Sequence, residues 1–339
     1  MSITINDIAR IANVSKATVS AVLNSKPGIS QATRDRVLEI VTEMKYRPSH
    51  IARSLSTRRT GSIGLVTKEI DNPYFSKLMK GVFDTCSNSD YTVLLGSSEL
   101  IPEREIQSIE TLMNQGVDGL IISPLHGDSI DYSYLSDLIR DKFPLVTLGH
   151  VPNFQTTVVE IDNIRAARQA TTYLIEQGHR RILFFSGPPY SIHSLERRKG
   201  YEEAMNIHGV EIPESDILSS GSYIIDGYEK GRRFFLDNTN HPTAVLCYND
   251  LVAIGLINAL TELGIWVPDD ISIIGFDDID FSSSFKIPLT TVHIPAYDIG
   301  RKAAEMLIQQ IQLDIPRIRQ LVIEPKFIIR DSVSKPASA

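Results

Sequence analysis

From Gly61 onward, the chain alternates two hydrophobic patterns. Short apolar runs rich in β-branched residues are followed by longer stretches in which apolar positions recur at helical spacing. The runs form two series, residues 62–67, 91–96, 119–123 and 145–148, then residues 181–186, 244–248 and 271–275. Alternation of this kind is typical of parallel sheets whose strands are joined by helices, such as residues 163–177 and 251–263. We therefore predict an α/β fold with two doubly wound parallel lobes.

The first part of the chain, up to Lys45, has a pattern typical of helices. Three short amphipathic helices are predicted, each preceded by a hydroxyl side chain that can cap its first turn: Thr4, Ser15 and Ser30. Asp7, three residues after Thr4, completes a capping pair. Two short helices that meet across a tight turn, followed by a third, predict an all-α helix-turn-helix module.

The charge is distributed unevenly along the chain. Residues 1–60 contain ten Lys/Arg and four Asp/Glu, a net charge of +6, whereas the rest contains 24 and 37, a net charge of −13. A basic head of this kind is the electrostatic footprint of a DNA-binding module, because each neutralised phosphate releases counterions. The overall charge of −7 therefore does not argue against nucleic acid.

The start of the second helix is the candidate DNA-reading surface, since helix-turn-helix modules place this part in the major groove. Lys16 can donate to guanine or to phosphate, and Ala17 and Ala21 can contact thymine methyl groups. Ser15 and Asn24 are expected to position the backbone. The alternative is a three-helix bundle with an ordinary solvated basic face. The DNA-binding candidates of this module are Ser15, Lys16, Ala17, Ala21, Asn24 and Ser30.

Residues 4–24 (TINDIARIANVSKATVSAVLN) and 28–34 (GISQATR) resemble the head of the lactose/galactose-repressor family, and residues 46–55 (YRPSHIARSL) resemble its hinge. The resemblance implies that the hinge becomes helical on operator DNA and inserts Leu55 into the minor groove. It also implies three domains: a DNA-binding domain over 1–46, a hinge over 47–60, and an effector-binding and dimerisation domain over 61–339. Ala21 departs from the longer side chains of many relatives.

The body, too, is similar to that family and to periplasmic-binding-protein-like receptors. This resemblance places an effector pocket at the carboxyl ends of the strands. Arg197 can donate two parallel hydrogen bonds to neighbouring hydroxyl groups or to a carboxylate. Asn249 and Asp277 can form hydrogen bonds with hydroxyl groups, and Phe75 can stack on the face of a sugar ring. The resemblance assigns the pocket to Phe75, Arg197, Asn249 and Asp277, and secondarily to Tyr74, Asp162, His193 and Tyr223.

Each pocket candidate has a purely structural alternative. Phe75 can be helix-packing core, Asp277 can turn the chain beside Asp278, and Asp162 can cap the helix that follows. Arg197 and His193 can belong to solvated or structural clusters. Ser191 occupies a position where purine-responsive relatives have arginine, which weighs against a purine. The expected effector is a sugar or sugar derivative, because the hydroxyl-binding and aromatic side chains of the candidate pocket favour a polyol.

These observations favour a cytoplasmic, homodimeric repressor that binds near-palindromic double-stranded operator DNA under control of a small effector. For some relatives a phosphoprotein corepressor is a further partner. The competing classes are a solute-binding receptor and a sugar-modifying enzyme. The sequence contains no nucleophile elbow, no P-loop and no metal-spaced cluster, so we expect no catalytic residues, cofactor or metal. It also contains no signal peptide or membrane-spanning run.

Overall fold

A computed structural model describes residues 3–23, 27–46, 59–127, 130–313 and 318–336 of the chain. The chain divides into two units, Met1–Thr60 and Gly61–Ala339.

The first unit contains the helices α1 (Ile5–Ile11), α2 (Lys16–Leu23) and α3 (Gln31–Glu43). Thr4 caps α1, and its capping box with Asp7 is fully formed. Asn13 follows α1 with a φ of 52°, a left-handed conformation that turns the chain toward α2. The three helices share one small apolar core, formed by Ile8, Ala9, Ala12, Val19, Val22 and Val37.

The second unit has two sheets, each covered by helices. The strands are β1 (Ser62–Thr67), β2 (Thr92–Ser97), β3 (Gly119–Ile122), β4 (Leu145–Leu148), β5 (Thr157–Ile161), β6 (Ile182–Ser186), β7 (Ile217–Ser219), β8 (Ala244–Cys247), β9 (Ser272–Asp277), β10 (Thr290–His293), β11 (Gln320–Ile323) and β12 (Lys326–Ile328). The helices are α4 (Pro73–Ser87), α5 (Pro102–Asn114), α6 (Ser133–Arg140), α7 (Asn163–Gln177), α8 (Ile192–Ile207), α9 (Ile224–Asp237), α10 (Asp250–Glu262) and α11 (Ala296–Leu313).

The first lobe is built on a sheet with the strand order β11-β5-β4-β3-β1-β2, and all of its pairings are parallel. The second lobe has the order β12-β10-β9-β8-β6-β7, and only its β10–β12 pairing is antiparallel. Because β11 belongs to the first lobe and β12 to the second, the chain passes between the lobes after β5, after β10 and after β11. The carboxyl ends of the parallel strands carry the loops of the candidate site.

The predicted α/β architecture is confirmed, with corrections at particular elements. The strands over residues 62–67 and 145–148 and the helices over residues 16–23 and 163–177 have the predicted bounds, while the other predicted strands differ by one or two residues at their ends. The sequence pattern missed β5, β7, β10, β11 and β12. The short edge strands β7, β11 and β12 keep half or more of their side chains partly exposed, so their apolar pattern is weak.

The C-terminal segment packs against the second sheet, and the Ser332 side chain is fully buried. Its hydroxyl donates to the Ile273 carbonyl at 2.6 Å and accepts from the Thr290 amide at 2.8 Å. The Ser334 amide donates to the Ser272 hydroxyl at 3.0 Å. Ser332 and Ser334 therefore fasten the segment onto the second sheet.

Helices α7 and α8 approach each other closely at Gly200. A Cβ atom at this position would lie 2.2 Å from the Ile164 carbonyl oxygen and 2.9 Å from the Ala167 Cβ. Glycine is therefore required for this crossing, because any side chain would overlap the backbone of α7. The crossing positions the N-terminal half of α8, which carries several residues of the candidate site.

Candidate functional site

A narrow cleft lies at the carboxyl ends of strands from both lobes. The first lobe contributes Lys68, Glu69, Asn72, Tyr74, Phe75 and Leu100, and the second contributes Pro188, Ser191, His193, Arg197, Tyr248, Asn249 and Asp277. The lining therefore combines three aromatic side chains, those of Tyr74, Phe75 and Tyr248, with charged and amide groups.

Arg197 of α8 is held in place on every side. Its Nε donates to Asn163 Oδ1 at 3.1 Å, and its Nη2 donates to Asp277 Oδ1 at 3.4 Å. Its Nη1 donates to the Tyr248 carbonyl, and its guanidinium carbon lies 4.3 Å from the centre of the Phe276 ring. Only 3% of Arg197 is exposed, so it is a fixed donor group and not part of a solvated charge cluster.

Asp277 ends β9 in an unusual conformation. Its φ is 102° and that of Asp278 is 54°, so two consecutive aspartates lie in the left-handed region, a strain that is common at functional sites. Burial raises the pKa of Asp277 to about 6, although the Arg197 guanidinium opposes the shift. Asp278 instead accepts from Arg330 Nη2 at 2.6 Å and lies 2.9 Å from His293 Nδ1. Asp277 therefore pairs with Arg197 in the cleft, whereas Asp278 pairs with His293 and Arg330.

Asn249 joins the start of α10 to the loop before α9. Its Oδ1 accepts from the Val252 amide at 2.9 Å and caps α10, and its Nδ2 donates to the Ser222 carbonyl at 2.9 Å. With 1% of its surface exposed, it is rigidly placed at the cleft wall.

His193 lines the cleft one turn before Arg197. Asn163 Nδ2 donates to His193 Nδ1 at 3.1 Å, so this ring nitrogen is the acceptor. Burial lowers the pKa of His193 to about 4, which keeps the imidazole neutral near pH 7. Asp162 lies outside the cleft lining and caps α7, with Oδ1 accepting from the Arg165 amide at 2.9 Å.

Hydrogen bonds and an ion pair join the two lobes around the cleft. Tyr223 Oη donates to Asp71 Oδ1 at 2.9 Å, and the Ser222 hydroxyl donates to Glu69 Oε1. A third contact pairs Lys77 Nζ with Asp280 Oδ1 at 2.6 Å. Tyr223 therefore links the two lobes beside the cleft without being part of its lining.

In the first unit, the start of α2 presents an exposed surface. Lys16 and Ala17 are exposed, and Ala21 is half-buried on the same helix. Ser15 Oγ accepts from the Thr18 amide at 3.0 Å, and Ser30 Oγ accepts from the Thr33 amide at 3.3 Å. The two serines thus fix the starts of α2 and α3.

Comparison with protein families yields two matches along the chain. Residues 4–49 match the model of "Bacterial regulatory proteins, lacI family". Residues 171–333 match that of a "Periplasmic binding protein-like domain".

Curated relatives match nearly the whole chain. The chain is 36% identical over 335 residues to the HTH-type transcriptional repressor PurR of Haemophilus influenzae strain PittEE, covering 97% of this chain and 98% of that protein. The chain belongs to the lacI family of bacterial regulatory proteins. A second relative, the ribose operon repressor of Haemophilus influenzae strain Rd, is 33% identical over 336 residues, covering 97% of this chain and 98% of that protein.

Solved structures show the same fold. A CelR transcriptional regulator in complex with cellobiose is 30% identical, with a TM-score of 0.72 and coverage of 97% of this chain and 99% of that one. The lac repressor dimer bound to operator and the anti-inducer ONPF gives a TM-score of 0.88 at 24% identity, covering 98% and 100%. A lacI-family regulator of Enterococcus faecium with bound ribose is 26% identical, with a TM-score of 0.71 and coverage of 81% and 99%.

These matches confirm the predicted family and fold class. This lacI-family chain is a DNA-binding transcriptional repressor with an effector-binding domain. Within the described residues, no helix is long and apolar enough to span a bilayer, and no group of three or more metal-ligating side chains is present.

The lacI-family cleft brings together most of the sequence-derived pocket candidates. Tyr74, Phe75, His193, Arg197 and Asn249 line it together with Asp277, whereas Asp162 and Tyr223 do not. Of the DNA-binding candidates, Asn24 and Leu55 lie outside the described residues.

Sequence reasoning did not select the other polar lining residues as effector contacts. These are Lys68, Glu69, Asn72, Ser191 and Tyr248. The available signal was position, because Lys68 and Glu69 directly follow β1 and Tyr248 directly follows β8.

Proposed function

We propose that the effector of this repressor is a sugar or sugar derivative bound in the cleft, and that its occupancy controls operator affinity. The observation that carries this proposal is the pairing of buried Arg197 with Asp277 opposite the aromatic side chains of Tyr74 and Phe75. Such a set offers fixed donors and acceptors for hydroxyl groups and flat apolar faces for a sugar ring. Similar solved proteins are described with bound cellobiose and ribose.

The same proposal assigns DNA reading to a homodimer with two heads. Lys16 and Ala17 at the exposed start of α2 would contact bases in the major groove of each half-site. Ser15 and Ser30 would position the starts of α2 and α3 against the sugar-phosphate backbone of the DNA. Ala21 would face a thymine methyl group. A two-fold dimer reads a near-palindromic operator, because its two identical heads bind two half-sites of the same sequence in inverted orientation.

Control by effector would act through closure of the lobes. The contacts Tyr223–Asp71, Ser222–Glu69 and Lys77–Asp280 hold the two lobes together at the cleft. A ligand that binds both lobes favours one degree of closure over another by its differential affinity. We propose that the hinge, residues 47–60, passes this change to the DNA-binding domain, residues 1–46. Regulation of transcription, and not catalysis, would be its role in the cytoplasm.

Ser191 supports a sugar in preference to a purine. Its hydroxyl lies 3.0 Å from the Tyr248 hydroxyl, so this position offers small hydroxyl groups in place of the arginine of purine-responsive relatives.

A thermal-shift panel tests the effector proposal. It contains unmodified pentoses, hexoses and disaccharides, including ribose and cellobiose, beside the purine bases hypoxanthine and guanine. A sugar at about a hundred times its Kd should add roughly 2.7 kcal/mol to the free energy of unfolding. Stabilisation by a purine base and by no sugar would overturn the proposal.

A further inference from the structure

Lys68 is the one cleft residue whose charged group is buried and unsatisfied in the described part of the chain. It directly follows β1, lines the cleft, and is 3% exposed. Its Nζ has no hydrogen-bond partner among the described residues. An ammonium has three donors, and burying them without acceptors is costly.

The neighbouring polar groups of the cleft are already paired. Glu69 accepts from Asn72 at 3.0 Å and from Ser222, Arg197 donates to three different groups, and Asn249 uses both its oxygen and its amide nitrogen. The unsatisfied donor is therefore specific to Lys68. Desolvation lowers the pKa of this lysine to about 8, in agreement with its burial.

A second buried polar atom without a partner lies in the same lobe. His126 follows β3 and is 2% exposed, and its Nε2 is 2.7 Å from the His150 carbonyl oxygen. A carbonyl only accepts, so Nε2 carries the proton and Nδ1 is left as an acceptor without a donor. Burial lowers the pKa of His126 to about 3, and the charge of Lys68 adds to this shift. Lys68 needs an acceptor, and His126 needs a donor.

The charges around Lys68 indicate which kind of group can satisfy it. Three carboxyl groups, those of Glu69, Glu105 and Glu196, favour the charged lysine, and one cation, Arg197, opposes it. These carboxyl groups offset part of the cost of burying the ammonium, and its Nζ lacks an acceptor atom at bonding distance. A further anion would add repulsion from these carboxylates, whereas a hydroxyl adds no charge and can both accept and donate.

We propose that Lys68 is a specificity-determining donor of the effector site, which binds a hydroxyl oxygen of a neutral polyol and discriminates against phosphorylated or acidic sugars. This inference rests on the proposed function, since it requires that the cleft binds the effector. In the empty protein the unsatisfied ammonium destabilises the fold, and a bound hydroxyl relieves that cost.

The test uses Lys68→Met, which keeps most of the side-chain length and removes the charge. The matched control is Lys199→Met on the exposed face of α8. Thermal melting of the free proteins is measured first. Titration calorimetry then follows with ribose, cellobiose, glucose, glucose 6-phosphate and gluconate as probes.

The expected result has two parts that a merely structural lysine would not combine. Without ligand, Lys68→Met should melt within a few degrees of the wild type, because removal of the unsatisfied ammonium compensates for the lost attraction to Glu69, Glu105 and Glu196. It should also bind the neutral sugar about ten- to a hundredfold more weakly, as expected for loss of a charged hydrogen bond. Lys199→Met should change neither property.

Other outcomes separate this inference from the proposed function. If Lys68→Met binds the neutral sugar as tightly as the wild type, Lys68 is not a specificity-determining donor, while the cleft remains the effector site. If the wild type binds only glucose 6-phosphate or gluconate, the discrimination against anions is wrong. If no sugar in the panel binds the wild type, the proposed function fails, and this inference fails with it.

Discussion

The carboxyl group of Asp277 responds to pH in a way that follows from its burial. Its pKa is raised from 3.8 to about 6 in the folded protein. As pH rises between these values, the unfolded chain loses the proton first, so the folded state loses stability over this window. A difference of about two pKa units corresponds to roughly 3 kcal/mol.

We therefore predict that Asp277→Asn removes this part of the pH dependence. Compared with the wild type, the variant should gain up to about 3 kcal/mol in the free energy of unfolding between roughly pH 4 and pH 7. Urea denaturation at several pH values measures the difference. Parallel curves for the two proteins would show that Asp277 titrates as an ordinary exposed aspartate.

At the residue scale, the sequence indicates which side chains follow strands but not how deeply they are buried. Arg197, Asn249 and Asp277 were predicted because they combine strong hydrogen-bonding groups with motif positions. Lys68 was not, because a Lys-Glu pair after a strand looks like an ordinary solvated turn. Its burial depends on side chains of other elements, among them Glu105 and Tyr248, that only the folded chain brings near it.

At the scale of elements, α2 carries the predicted DNA contacts. Lys16→Ala should weaken operator binding by about 1–3 kcal/mol, because it removes the exposed cation at the start of the helix. Effector binding should not change. Footprinting and titration calorimetry measure the two properties, with Lys199→Ala as the control, and an unaltered footprint for Lys16→Ala would remove this residue from the DNA-reading surface.

The crossing of α7 and α8 gives a second prediction at this scale. Gly200→Ala should cost about 1–3 kcal/mol in the free energy of unfolding, because its methyl group would overlap the Ile164 carbonyl and push the helices apart. Effector affinity should fall as well, since Arg197 lies one turn away on α8. The adjacent exposed Lys199→Ala should stay within about 0.5 kcal/mol of the wild type.

Urea denaturation and ligand titration of both variants test this pair. Equal stability of Gly200→Ala and Lys199→Ala would contradict the close packing at Gly200.

The elements that the sequence pattern predicted are those with a continuous apolar run or a clear cap. Helix α2 and helix α7 were predicted with their observed bounds, because Ser15 and Asp162 mark their starts. Strands β11 and β12 at the sheet edges were not, since partial exposure weakens their pattern. The ordered position of Ser332 depends on hydrogen bonds to Ile273 and Thr290, and a local pattern contains no information about such distant partners.

At the scale of the whole molecule, the sequence predicted a basic head, an acidic body and two lobes. The resemblance of residues 4–24 to a known head supplied the family, which the comparisons confirm. The pattern did not predict that the first sheet takes its last strand, β11, from beyond the second lobe. The chain passes between the lobes three times within residues 61–339. A ligand that contacts both lobes can therefore change the conformation of this whole unit.

The central claim is that a ligand in the cleft controls operator binding. The most direct measurement is fluorescence anisotropy of full-length protein on a duplex selected from random DNA, with and without the sugar that binds it. Wild-type operator affinity should change by about 5- to 150-fold at saturation, the usual range of allosteric coupling. Asp277→Asn should bind the same duplex without sugar but show no response to it. Equal wild-type affinity with and without saturating sugar would contradict the account.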